Sequence, residues 1–118
     1  MKEGRKYDLN ERLIDYAVMI IFAIKILPND KVGNHLGGQL LRSGTSPSLN
    51  YGEAQGAESK KDFVHKLKIC LKELRESLNT IKILERAKYL KEGNEIKKET
   101  DELIAIFVKS IDTTQKGM

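Results

Sequence analysis

Apolar positions recur at helical spacing in four separate stretches of the chain. The first stretch opens at Asp8, with Glu11 three residues on as a capping-box partner, and stops before Pro28. Leu9, Leu13, Ala17, Ile20, Ile24 and Leu27 form one stripe, which Ile14, Val18, Ile21 and Phe22 widen around the cylinder. A bundle helix needs a stripe only about 100° wide. The surplus implies a second buried contact, most simply with another copy of the chain. Pro28-Asn29-Asp30 makes a turn, and the next helix carries Gly33, Gly37, Gly38, Gly44 and Gly52. Each glycine costs up to about 1 kcal/mol against alanine in a helix. Neighbouring helices are therefore expected to approach this element closely. Pro47 removes one backbone bond, which predicts a kink or a restart with Ser46 as cap.

Ser59-Lys60-Lys61-Asp62 has capping-box spacing and opens a third helix with the seam Phe63, Leu67, Cys70, Leu74, Ile81 and Leu84. After a turn at Lys91-Glu92-Gly93-Asn94, the last stripe runs through Ile96, Leu103, Phe107 and Ile111. Helices are expected at about 8–27, 32–55, 59–87 and 94–114. Their short connections argue for an all-α, up-and-down antiparallel four-helix bundle, one domain over residues 1–118.

One strip of the second helix breaks the greasy pattern. Arg42, Ser46, Asn50 and Glu53 fall within a quadrant of one another at about 100° per residue, next to apolar positions. Enclosed, they would form a buried polar network that fixes helix register at some cost in stability. Lining a groove, they would take a ligand or a phosphate. The enclosed reading is favoured.

Composition narrows the class. Among 118 residues there are two prolines, no tryptophan and one cysteine, Cys70, which cannot make an intrachain disulfide. A reducing compartment follows, and with no signal peptide expected the chain is placed in the cytoplasm. The apolar run Tyr16–Leu27 has 12 residues and contains Lys25, short of the roughly 20 that span a bilayer, so no membrane partner is expected.

A net charge of +4 permits nucleic-acid contact without requiring it. Its distribution says more. Lys61, His65, Lys68, Lys72, Arg75, Lys82 and Arg86 lie within about 100° of arc on the third helix. At about 1.5 Å per residue the row is about 38 Å long, enough to track a phosphate backbone. The competing reading pairs part of it with an acidic row on the fourth helix, Glu92, Glu95, Glu99 and Glu102, as flanking charges do in a coiled coil. The aromatic residues sit mostly on apolar stripes, which gives base stacking little support.

No catalytic set emerges. His35 and His65 lie on different helices without ligand-spaced partners, and Cys70 sits on a core seam. The glycines match no phosphate-binding motif, and Arg42 opposes any use of Glu53 as a general base. A non-enzyme with no metal and no cofactor is expected.

Leu41-Arg42, Ser46, Asn50-Tyr51-Gly52-Glu53-Ala54 and Ser59-Lys60-Lys61-Asp62-Phe63, continued by Lys66-Leu67 and Lys72-Glu73-Leu74-Arg75-Glu76, resemble the signature of a known family. These are the four-helix-bundle proteins encoded in 23S rRNA intervening sequences. The likeness covers the chain from Leu9 to Ile111. It departs in that many members have Gly after the Glu, and a Pro nearer the Asn than Pro47 is to Asn50. The resemblance implies a bundle that assembles as a homopentamer. The chain is also similar to the accessory protein of diversity-generating retroelements, a basic pentamer that associates with reverse transcriptase and nucleic acid, which strengthens the expectation of RNA or DNA contact.

The expectation is thus a non-enzymatic homo-oligomer, an accessory protein partnered with itself and with RNA or a nucleic-acid-processing protein. Its contact surface is Lys61, Lys68, Lys72, Arg75, Lys82 and Arg86. The alternative is a scaffold that docks a protein through the first helix or an oligomer end, with no nucleic-acid role. A small-molecule site at the Arg42–Glu53 strip is the third option.

Overall fold

The computed structural model describes residues 8–91 and 94–118, and among them the fold is all-α. Helix α1 spans Leu9–Lys25, α2 Lys31–Ala54, α3 Lys60–Arg86 and α4 Asn94–Lys116. Three of the four starts are fixed by a side chain that satisfies an otherwise orphaned amide. Asp8 Oδ1 accepts from the Glu11 amide at 3.1 Å, Asp30 Oδ1 from Gly33 at 2.7 Å and Ser59 Oγ from Asp62 at 3.0 Å. At the end of α3, Lys88 adopts φ 67°, and the Tyr89 amide reaches back to the Leu84 carbonyl at 2.8 Å. This is the left-handed closure usually given to glycine. The Tyr89 hydroxyl then donates to Asp30 Oδ2 at 2.9 Å, tying this turn to the one between α1 and α2.

Side-chain pairs define the topology. Ile20 of α1 meets Gly44 of α2, while Ile24 and Leu27 meet Gly37, so the two helices run antiparallel. From α2 to α3, Ser43 meets Ser77, Pro47 meets Cys70 and Glu53 meets Lys66, again antiparallel and in constant register. Lys97 with Glu85 sets α4 against α3, and Arg12 with Glu99 and Glu102 sets α4 against α1. The shortest dimension, 20 Å, is two helix diameters, as a two-by-two bundle requires. The centre is filled by Leu13, Tyr16, Ile20, Leu40, Leu67, Leu74, Ile81, Leu84, Leu103 and Phe107.

Two expectations about α2 are corrected. The helix runs unbroken through Pro47, whose ring is fully buried, so no restart occurs at Ser46. The glycines divide into two kinds. A Cβ at Gly33 would stand 2.2 Å from the Pro28 carbonyl oxygen, and one at Gly44 2.7 Å from Ile20. At Gly38 and Gly52 it would meet nothing within 4 Å. Close packing accounts for the first pair and for Gly37, where a Cβ would stand 3.2 Å from Leu27 Cδ1, but not for Gly38 and Gly52.

The wide stripe of α1 is only half used. Leu13, Tyr16, Ala17 and Ile20 turn inward, whereas Ile14, Val18 and Ile21 stay exposed beside Phe22 and Ile26, which are 63% and 71% exposed. Among the described residues no helix is long and apolar enough to cross a membrane.

Candidate functional site

The Ser59 cap starts α3 so that its apolar seam, Val64, Leu67, Cys70, Leu74, Ile81 and Leu84, is buried. That orientation fixes the opposite face. Lys61, His65, Lys68, Lys72, Arg75, Lys82 and Arg86 are all exposed along it. Lys72 Nζ stands 3.6 Å from Glu73 Oε2. The ion pairs among the described residues engage none of Lys61, Lys68, Arg75, Lys82 and Arg86.

Among the described residues the expected neutralisation by α4 does not occur. Arg12 of α1 takes Glu99 with two hydrogen bonds of 2.8 Å and Glu102 with a third. These carboxylates raise the Arg12 pKa by hydrogen bonding. Glu92 lies outside the described residues. The reason is rotational: Glu95, Glu99 and Glu102 occupy the flank of the α4 stripe that turns to α1, while Lys97 occupies the flank that meets α3. There Lys97 pairs with Glu85 at 2.7 Å, the reverse of the expected polarity.

The strip on α2 is not a buried network. Arg42 and Glu53 have side chains 55% and 62% exposed, while Ser46 and Asn50 are half-buried. Eleven residues separate Arg42 from Glu53, about 16 Å along the axis, so they cannot meet. Each bonds to α3 or to its own helix instead. Arg42 donates to Glu73 at 2.7 Å and to Glu76, Lys66 donates to Glu53 at 2.8 Å, and Asn50 donates to Ser46 Oγ at 2.8 Å. Hydrogen bonding to these carboxylates raises the pKa of Arg42 and of Lys66. The strip is a set of α2–α3 clasps.

The enclosed polar layer lies elsewhere, with one hydroxyl from each helix. Ser43 and Ser77 are 2.8 Å apart, and Tyr16 Oη is 2.7 Å from Thr100 Oγ1. Thr100 spends its proton on the Ile96 carbonyl at 2.7 Å, so Tyr16 is the donor between them. Burial pushes the Tyr16 phenol up to about 12, partly offset by its hydrogen bonds to Thr100 and Ser77. The available signal was a hydroxyl interrupting each core stripe, with two, Ser77 and Thr80, on α3. Short hydroxyls are common on any helix face, so that signal is weak until packing brings the four together.

Burial pushes the Cys70 thiol up to about 12, which keeps it protonated at neutral pH, and its Sγ donates to the Pro47 carbonyl at 3.5 Å. His35 is exposed beside Gln39. Among the described residues no three His, Cys, Asp or Glu side chains are placed to hold a metal ion.

The architecture is that of an all-α protein with four helices and no strand among the described residues, presenting a cationic face along α3. The family model for the 23S rRNA-intervening sequence protein matches residues 5–109, and the chain belongs to that family. A crystal structure of a protein with unknown function from the S23 ribosomal protein family of Bacteroides thetaiotaomicron is similar at 32% identity, with a TM-score of 0.79. The similarity covers 86% of this chain and 96% of that one. No curated protein matches the chain.

Proposed function

We propose that this chain is a non-enzymatic, self-associating accessory protein of the cytoplasm that holds RNA by its phosphate backbone along the outward face of α3. The observation that carries the reading is the exposed cationic row, of which Lys61, Lys68, Arg75, Lys82 and Arg86 have no carboxylate partner among the described residues. Like charges at helical neighbours, such as Lys68 with Lys72 and Lys82 with Arg86, each destabilise a helix by about 0.2–0.5 kcal/mol. A face that served solubility alone would intersperse acids.

Self-association is supported by the outward side of α1, where Ile14, Val18 and Ile21 stay about 40% exposed beside Phe22 and Ile26. A ring of five copies is the assembly that the family resemblance implies. Two measurements test the reading. Light scattering should return a multiple of the protomer mass, and fluorescence anisotropy should show RNA binding at low salt that Lys68→Glu with Lys72→Glu greatly weakens. Absence of binding at low salt would refute the RNA role.

A second reading, a scaffold for a protein partner, is favoured by one observation. Phe22 and Ile26 border an apolar cavity of about 360 Å³ with Met19, Ala23, Leu90 and Ile96. Recovery of a protein in a pull-down after nuclease treatment, by a chain that binds no RNA, would favour it.

A further inference from the structure

At one end of the bundle the first turns of α3 and the last turn of α4 enclose a cavity of about 280 Å³. Lys61, His65 and Lys68 line it from one face of α3, over Val64, with Gln115 of α4 and Met118 just beyond that helix on the other side. Among the described residues these three cationic-capable side chains and the Gln115 amide have no hydrogen-bond or ion-pair partner. Two nearby acids are engaged elsewhere, Glu53 with Lys66 at 2.8 Å and Asp112 with Lys116 at 3.0 Å, and neither Glu58 nor Asp62 is ion-paired with Lys61 or Lys68 among the described residues. Lysines without an ion-pair partner, facing a recess, suit an anionic guest.

We propose that this pocket receives the terminal phosphate monoester of an RNA strand, held by Lys61 and Lys68. The inference rests on the reading of α3 as the RNA face and adds to it a fixed end point. A monoester carries a charge of about −1.5 to −2 and three acceptor oxygens, which two ammonium groups with three donors each can meet. An internal diester has one charge and two acceptor oxygens free of the chain, which leaves two ammonium groups less fully used. Val64, buried beneath, and Met118 offer the sugar an apolar contact. Beyond Lys68 the exposed Arg75, Lys82 and Arg86 continue the same face, so the strand attached to that phosphate lies along them.

The test uses one short single-stranded RNA in three forms: 5′-phosphorylated, 3′-phosphorylated, and with hydroxyls at both ends. Anisotropy is read with the full chain, with Lys61→Ala/Lys68→Ala, and with Lys82→Ala/Arg86→Ala. All four positions are exposed, and circular dichroism checks that each variant is folded. One of the two phosphorylated forms should bind about tenfold more tightly than the hydroxyl form, the scale of a charge-assisted contact, and which one does so identifies the strand end. The gain should vanish in Lys61→Ala/Lys68→Ala. It should persist in Lys82→Ala/Arg86→Ala, which weakens all three forms. Equal affinity for the three forms overturns the pocket while leaving the α3 row standing. A phosphorylated form that binds while Lys82→Ala/Arg86→Ala changes nothing keeps the pocket and removes the row. Failure of every form to bind overturns both.

Discussion

Two lines of polar residues, one on α2 and one on α3, look alike as helical arcs and behave oppositely in the folded chain. Arg42 and Glu53 on α2 each reach a carboxylate or ammonium of α3, and their charges are used within the protomer. Lys61, Lys68, Arg75, Lys82 and Arg86 on α3 face outward and have no ion-pair partner among the described residues. The contrast teaches that an unusual polar strip is not by itself a site. What separates a structural charge from one kept for a partner is whether the neighbouring helix supplies the opposite sign. Here α4 gives Glu99 and Glu102 to Arg12 of α1, and among the described residues no carboxylate of α4 pairs with the α3 row.

Exchanging the roles of the two lines gives the largest expected effect. Lys68→Glu with Lys72→Glu should weaken RNA binding about 100-fold, or about 2.7 kcal/mol, with little change in thermal stability. Arg42→Ala with Lys66→Ala should do the reverse, lowering the melting temperature while binding stays intact. Should the α2 variant also abolish RNA binding with its fold preserved, the division between the lines fails.

Next in size is a test within α2 of the same distinction between used and open positions. Gly44→Ala would drive a methyl group against Ile20 and should cost about 1–3 kcal/mol in chemical denaturation. Gly52→Ala, where nothing lies within 4 Å, should instead stabilise by roughly 0.5–1 kcal/mol. Equal effects at the two sites would show that α1 and α2 are less closely packed than their side chains indicate.

The hydroxyl layer sharpens the point that interior register is set away from the α2 strip. Tyr16→Phe should cost about 1 kcal/mol, the worth of one buried hydrogen bond. Its pH dependence carries a sign. The phenol titrates near 10 in the unfolded chain and near 12 in the folded one. Below pH 10 the phenol is protonated in both states and its contribution is fully present. Between about pH 10 and 12 the unfolded chain ionises first and stability is lost. Cys70, raised from 9.0 to about 12, acts in the same direction. Melting temperatures from pH 8 to 12 should fall less steeply for Tyr16→Phe than for the unaltered chain, and superimposable profiles would remove Tyr16 from this role.

Much of this was legible in the chain. Four stripes at helical spacing gave the bundle, and the caps at Asp8 and Ser59 are where Asp8-Leu9-Asn10-Glu11 and Ser59-Lys60-Lys61-Asp62 place them. The outward face of α3 followed from the same arithmetic, because a seam as clear as Leu67, Leu74 and Ile81 leaves its opposite side to solvent. What periodicity cannot give is the rotation of one helix against another. That rotation decided that Glu99 meets Arg12, and that Arg42 finds Glu73, 8% exposed, across the α2–α3 seam. Ser43, Ser77, Tyr16 and Thr100 escaped notice for the same reason: each is an ordinary residue on its own helix, and the level they share exists only after packing.

The most direct measurement is the salt dependence of RNA affinity. With five outward cations each displacing counterions from a single strand, the logarithm of the binding constant should fall against the logarithm of salt concentration with a slope of about −3.5. The slope should shrink by roughly 0.7 for each contact removed along α3. Binding that is insensitive to salt, or no binding at the lowest salt tested, would contradict the assignment of that face to phosphate.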